Sequence, residues 1–88
     1  MNRISFSEEA WEEYLSWQSE DKKTLKKINQ LLQDIIRNGP LFGLGKPEPL
    51  TGSLSGKYSR RINEADRLVY EIEGEQIIIL QCRGHYDD

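Results

Sequence analysis

A stretch rich in glycine and proline divides this chain into two halves that cannot share one regular element. Residues 39–53 hold four glycines and three prolines, in Gly39-Pro40-Leu41-Phe42-Gly43-Leu44-Gly45-Lys46-Pro47-Glu48-Pro49-Leu50-Thr51-Gly52. Proline removes a backbone donor and glycine leaves the backbone unrestrained, so neither a helix nor a central strand runs through it. An irregular segment of this length is unusual in a chain of 88 residues and marks a functional or a disordered loop. Leu41, Phe42, Leu44 and Leu50 give it apolar anchors, which predict that it is ordered.

Ahead of the divide the periodicity is helical. Leu25, Ile28, Leu32 and Ile35 step by three, four and three, and Gly39-Pro40 ends the pattern. An earlier helix is capped by Ser7, carries Glu8 and Glu9 in its first turn, and presents Ala10, Trp11, Tyr14, Leu15 and Gln18 as an aromatic face. Ser19-Glu20-Asp21 breaks the two helices into a hairpin, with Asp21 capping the second. Trp11 and Trp17 are assigned to packing. Before them, Ile4 and Phe6 alternate with Arg3 and Ser5 as a short strand. Behind the divide the period is two: Lys57 to Ile62, Arg67 to Ile72 and Gln76 to Arg83 read as antiparallel strands separated by short turns. The expected architecture is one α+β domain over residues 1–88, an N-terminal strand and helix hairpin packed on one face of an antiparallel sheet.

The longest aliphatic run, Ile77 to Leu80, is far short of a membrane span, and no signal peptide is visible, so a cytoplasmic location is expected. The single cysteine, Cys82, excludes an internal disulfide and a multi-cysteine zinc site, and its place in the last strand predicts burial. The net charge of −3 is unevenly spread. Residues 1–21 carry six acids and one base, residues 22–67 carry ten bases and four acids, and residues 68–88 carry five acids and one base. A basic middle segment steers a phosphate polymer even within an acidic chain; alternatively, Lys22, Lys23, Lys26 and Lys27 solvate one helix.

Arg60 and Arg61 point to opposite faces of their strand, so one must face away from the helices, where Arg67 and Arg83 add to a surface suited to phosphate. A solvated face with cross-strand Arg–Glu pairs is the alternative. Glu48 lies between two prolines that restrict its backbone, which is either a placed carboxylate or an exposed loop residue. His85 is the only histidine, in a site or in a solvated tail. There is no phosphate-binding loop, no metal-ligand cluster and no nucleophile triad. RNA supplies its own nucleophile, the 2′-hydroxyl, so a carboxylate, an arginine and a histidine suffice to remove a proton, neutralise the phosphorane and protonate the leaving oxygen.

The segments Gly45-Lys46-Pro47-Glu48-Pro49-Leu50, Leu54-Ser55-Gly56, Tyr58-Ser59-Arg60-Arg61-Ile62, Arg67-Leu68-Val69-Tyr70 and His85-Tyr86 closely resemble the Txe/YoeB toxins. Trp11, Tyr14, Trp17-Gln18, Asp21-Lys22 and Lys26-Lys27-Ile28-Asn29 extend the resemblance over essentially the whole chain. It implies a RelE-like fold and a ribosome-dependent mRNA endoribonuclease, the toxin of a type II toxin–antitoxin pair, acting without metal or other cofactor. At the matching positions Glu48 is the general base, Arg67 the transition-state stabiliser, His85 the general acid and Tyr86 an aromatic that holds substrate; Lys46 and Arg61 contact RNA. The implied partners are mRNA on the ribosome and a YefM-like antitoxin whose flexible tail covers the basic site, with a homodimer left open. The alternative is a ParE-like toxin that inhibits a topoisomerase without nuclease activity; a decayed toxin that only binds its antitoxin is a third. Tyr58 stands where the family often has Trp, and the chain continues past His-Tyr with Asp87-Asp88, two carboxylates that disfavour an approaching phosphate.

Overall fold

The computed structural model describes residues 3–86; the Asp87-Asp88 extension lies outside them. In chain order the elements are β1 (Arg3–Phe6), α1 (Glu8–Glu20), α2 (Lys22–Asn38), β2 (Glu48–Pro49), β3 (Tyr58–Arg61), β4 (Arg67–Glu73) and β5 (Gln76–Gln81), with a 3₁₀ turn at Gly52–Leu54. The sheet runs β1-β5-β4-β3-β2. Three of its pairings are antiparallel. The fourth, β1 with β5, is parallel and sets Ile4 against Ile77 and Phe6 against Ile79. The helix hairpin covers one face, which makes the fold α+β, as expected.

Capping explains the tight helical corner. Ser7 accepts from the Ala10 N–H to open α1. Asp21 serves both helices: its N–H donates to the Trp17 carbonyl, while its carboxylate accepts from the Lys23 and Thr24 N–H groups. These bonds, the Thr24 hydroxyl first, hold the Asp21 carboxyl below its ordinary value.

The core is built from Ala10 and Trp17 of α1, Ile28, Leu31, Leu32 and Ile35 of α2, and Ile62, Leu68, Tyr70, Ile77, Ile79 and Cys82 from the sheet and its margins. Even-numbered residues of β3 and β4 and odd-numbered residues of β5 face the helices, as a period of two demands. The buried line of α1 passes through Ala10, Tyr14 and Trp17 and leaves Trp11 45% exposed, packed edge-on against Phe6. Both tryptophans pack as assigned, Trp17 inside the core and Trp11 at its edge, stacked on Tyr14 and set against Phe6.

The Gly/Pro-rich segment is ordered by a different force from the one expected. Leu50 is buried, but Leu41, Phe42 and Leu44 are exposed, Phe42 by 73%. What ties the segment down is Arg60. Its side chain is fully buried and all five N–H donors are used. Nε donates to the Tyr70 hydroxyl, Nη1 to Asp34 and the Leu44 carbonyl, and Nη2 to the Gly39 and Phe42 carbonyls. The Tyr70 hydroxyl in turn donates to the Pro40 carbonyl at 2.6 Å. Burial pushes the Asp34 carboxyl up, but the Arg60 hydrogen bond, the Leu44 N–H and the Arg60 charge outweigh it and hold the group below its usual range.

Candidate functional site

The sheet face turned away from the helices carries an open cleft of about 250 Å³ lined by Lys46, Glu48, Ser59, Arg61, Arg67, His85 and Tyr86. All six candidate residues read from the sequence meet there, drawn from four separate stretches of chain. Among the described residues three cations line the cleft with one carboxylate, a balance that attracts anions and sets Glu48 among positive neighbours.

Glu48 is delivered by β2, a two-residue edge strand not foreseen from the sequence. It pairs with β3 so that Glu48 faces Ser59 and Pro49 faces Tyr58, and Leu50 extends the ladder by donating to the Lys57 carbonyl at 2.9 Å. Prolines are tolerated here because an edge strand has one row of donors with no partner to meet. The approach to Glu48 is fixed at Gly45, whose carbonyl accepts from the Arg61 N–H at 2.6 Å. Its φ is +81°, and a Cβ there would lie 2.9 Å from Leu31 and 3.0 Å from the Arg61 carbonyl, so only glycine fits. Lys46 follows at φ +50°, an uncommon left-handed position for a lysine, and projects into the cleft.

Arg61 and Arg67 sit directly opposite each other on β3 and β4, with Ser59 and Val69 one pair along on the same face. The Arg67 Nη1 donates to the carbonyls of Asn63 at 2.7 Å and of Glu64 and Asp66 at 3.2 Å, all in the β3–β4 turn. Its Nε and Nη2 groups, which form one edge of the guanidinium fork, have no acceptor among the described residues. That edge is free to bind two oxygens of one phosphate. His85 Nε2 lies 3.2 Å from the Glu64 carbonyl of the same turn.

Tyr86 donates its hydroxyl proton to Glu48 Oε1 at 3.2 Å, and its oxygen is 3.3 Å from Ser59 Oγ. A phenol has one proton, so Ser59 is the donor in the second contact. Ser59 was missed as a site residue; its place two residues from Arg61 on one strand was the available signal. Arg83 was expected on this open face beside Arg67 and is not there. It turns to the helix side, lying 4.3 Å over the Trp17 ring and pairing with Glu20 at 2.7 Å. That bond lowers the Glu20 carboxyl and raises the Arg83 guanidinium from their ordinary values. Burial pushes the Cys82 thiol up to about 12, so it is an inert part of the core. No group of three His, Cys, Asp or Glu side chains able to hold a metal ion occurs among the described residues. No helix among them is long and apolar enough to cross a membrane.

A small α+β chain with a basic cleft on its open sheet face defines the class, and the comparisons give the family. Residues 6–86 match the YoeB-like toxins of bacterial type II toxin–antitoxin systems. Toxin YoeB of Streptomyces coelicolor is 50% identical over 84 residues, covering 96% of this chain and 99% of that protein. A YoeB/ParE toxin structure from Agrobacterium tumefaciens superposes with a TM-score of 0.92 at 40% identity, covering 96% of this chain and 99% of the other. The toxin of a Staphylococcus aureus YoeB–YefM heterotetramer gives a TM-score of 0.90 at 52% identity, covering 96% and 97%; that toxin is also known as a dimer. This chain belongs to the YoeB toxin family.

Proposed function

We propose that this toxin is a ribosome-dependent mRNA endoribonuclease that uses the RNA 2′-hydroxyl as nucleophile. The observation that carries the reading is the convergence of Glu48, Arg67 and His85, from β2, β4 and the C-terminal segment, on one basic cleft. Glu48 removes the 2′-hydroxyl proton as O2′ attacks the adjacent phosphorus. The free edge of Arg67 binds the phosphate oxygens, on which charge grows in the pentacoordinate transition state, with Lys46 and Arg61 adding positive potential. His85 gives a proton to the departing 5′-oxygen. The P–O5′ bond breaks as the P–O2′ bond forms, leaving a 2′,3′-cyclic phosphate and a 5′-hydroxyl. Tyr86, which holds Glu48 by a hydrogen bond, offers a ring for a base to stack on.

The proposed inhibitor is a YefM-like antitoxin whose acidic, flexible segment lies over the cleft, as charge complementarity favours. A toxin homodimer is part of the same reading. Primer extension on a translated mRNA is the test. Wild-type protein should produce cuts only when ribosomes engage the message, and Glu48→Gln, which keeps shape but accepts a proton poorly, should lower cleavage ~10²-fold or more. Undiminished cutting by Glu48→Gln would remove Glu48 from the base role, and no ribosome-dependent cuts by the wild type would end the reading.

A further inference from the structure

The proposed acid, His85, lies beyond the last regular element. Strand β5 ends at Gln81, and the segment from Cys82 to Tyr86 belongs to no helix or strand. A side chain on such a segment keeps one position only if its backbone is held by something else. Four hydrogen bonds converge on the residue before it and on His85 itself. Asp66 Oδ1 accepts from the Gly84 N–H at 2.8 Å. The Gly84 carbonyl accepts from the Arg67 N–H at 3.0 Å and from Gln81 Nε2 at 2.9 Å. The same Gln81 nitrogen donates to the His85 carbonyl at 3.1 Å. Gly84 has φ +83° with open space where a Cβ would be, so backbone conformation and not crowding calls for glycine there. Asp66 is also the residue before Arg67, and its own carbonyl accepts from the Arg67 guanidinium. One residue therefore touches the supports of both catalytic side chains.

We propose that Asp66 is a positioning residue: its carboxylate, assisted by Gln81, locks the Gly84 turn and so sets His85 in register with Arg67 across the cleft. This rests on the ribonuclease reading above. Its physical content is that Asp66 acts as a hydrogen-bond acceptor for one N–H and not as a negative charge. The distinction is testable, because Asn keeps an acceptor oxygen in the same place and carries no charge, while Ala keeps neither.

Single-turnover cleavage on programmed ribosomes, with ribosome affinity measured separately, compares wild type, Asp66→Ala, Asp66→Asn, His85→Ala and the Asp66→Ala/His85→Ala double variant. Asp66→Ala should cut about 10- to 100-fold more slowly, since a displacement near 1 Å costs that order, with affinity changed less than about twofold. Asp66→Asn should stay within about threefold of wild type. With His85 already gone, removing Asp66 should cost less than about twofold more, because a residue acting through another adds nothing once that other is absent. Equal losses in the Asn and Ala variants would assign the effect to charge and overturn the proposal. So would a full loss that multiplies with that of His85→Ala. Should Asp66→Ala melt below the assay temperature, Gln81→Glu decides: it keeps the shape but replaces the donor facing two carbonyls, and must lose activity only when His85 is present. Wild-type activity in Gln81→Glu would then sink the idea. A wild-type protein that leaves mRNA intact defeats the ribonuclease reading itself; a fully active His85→Ala removes the acid role and this proposal with it, and a His85-dependent wild type with an unaffected Asp66→Ala defeats this proposal alone.

Discussion

Arg60 and Arg61 are adjacent on one strand and share a chemistry, yet their surroundings differ in every respect. Arg60 points to the helices, is fully buried, and gives all five donors to Asp34, Tyr70 and three carbonyls of the loop. Arg61 points to the open face, is exposed, and lines the cleft with no hydrogen-bond acceptor for its side chain among the described residues. The difference shows what a guanidinium does when its partners come from the protein and what it does when they are left to a ligand. A buried cation is tolerable only with its hydrogen bonds complete, and here those bonds organise a loop. An exposed cation contributes little to the fold and keeps its donors for an incoming anion. The inner arginine also serves the outer site: it fixes residues 39–45, and that loop delivers Lys46 and Glu48.

Removing the inner arginine should have the largest effect. Arg60→Met keeps length and apolar bulk but leaves Asp34, the Tyr70 hydroxyl and the loop carbonyls without their donor. Breaking a buried pair from one side costs about 3–5 kcal/mol, a large part of the stability of a chain this small. The midpoint of urea unfolding should fall accordingly. Adding Asp34→Leu should recover part of the loss, because no orphaned carboxylate then remains. A single Arg60→Met variant as stable as wild type would show that the loop is held some other way.

Next in size is a substitution on the open face that leaves the fold alone. Arg67→Ala should reduce single-turnover cleavage ~10²-fold, the scale of losing one preorganised charge at a developing oxyanion. Arg67→Lys restores charge without the two-pronged edge and should recover only part of it. Full recovery by Lys would mean that positive potential alone is sufficient there.

These contrasts also explain how far the sequence could be read. The α2 stripe was legible because Leu25, Ile28, Leu32 and Ile35 repeat at helical spacing over a long helix, three of them buried and Leu25 half-buried, and Gly39-Pro40 marks its end. That Arg60 and Arg61 face opposite ways follows from a period of two, but which one is inside depends on where the helices dock, a long-range fact. β2 was invisible, since two residues, one of them a proline, make no periodicity, and its partner strand alone defines it. The parallel pairing of β1 with β5 joins the two ends of the chain and leaves no local trace. Arg83 was misplaced because the alternation applied to 76–83 stops at Gln81, after which the chain turns and its side chain meets Trp17 and Glu20. Of the four apolar anchors expected in the loop only Leu50 is buried, and a polar network under residues 39–44 does what Leu41, Phe42 and Leu44 were expected to do. Glu48, Arg61, Arg67 and His85 stood out from the residues alone only with bland alternatives beside them, since neither a lone histidine nor a glutamate between prolines is specific by itself; Lys46, Tyr86 and the individual roles came with the family resemblance.

A smaller effect at the Asp34–Arg60 pair depends on pH. Asp34 is held below the usual aspartate value of 3.8 in the folded protein. A depressed folded-state value means that the carboxylate stabilises the fold above the unfolded value, and that this contribution is lost as pH falls through the folded one. Unfolding of wild type and Asp34→Asn should therefore differ most near neutrality. The gap should narrow below about pH 4, where the unfolded aspartate protonates. A gap that stays constant from pH 7 to pH 2 would mean the stabilisation does not depend on the Asp34 charge.

The smallest effect belongs to the outer member. Arg61→Ala removes an exposed side chain with no hydrogen bond to the described residues, so its stability should change by no more than about 0.5 kcal/mol. Its loss should appear instead in RNA binding. A single-stranded RNA titrated at several salt concentrations gives a line of log K against log salt whose slope scales with the number of phosphates neutralised, at about 0.7 per contact. Removing Arg61 should make that slope shallower by about one contact and should weaken binding similarly for different RNA sequences, because a phosphate contact carries no base information. An unchanged slope would place Arg61 outside the RNA path. A stability loss near that of Arg60→Met would show instead that the two arginines are not divided between the faces of β3 in the way their surroundings indicate.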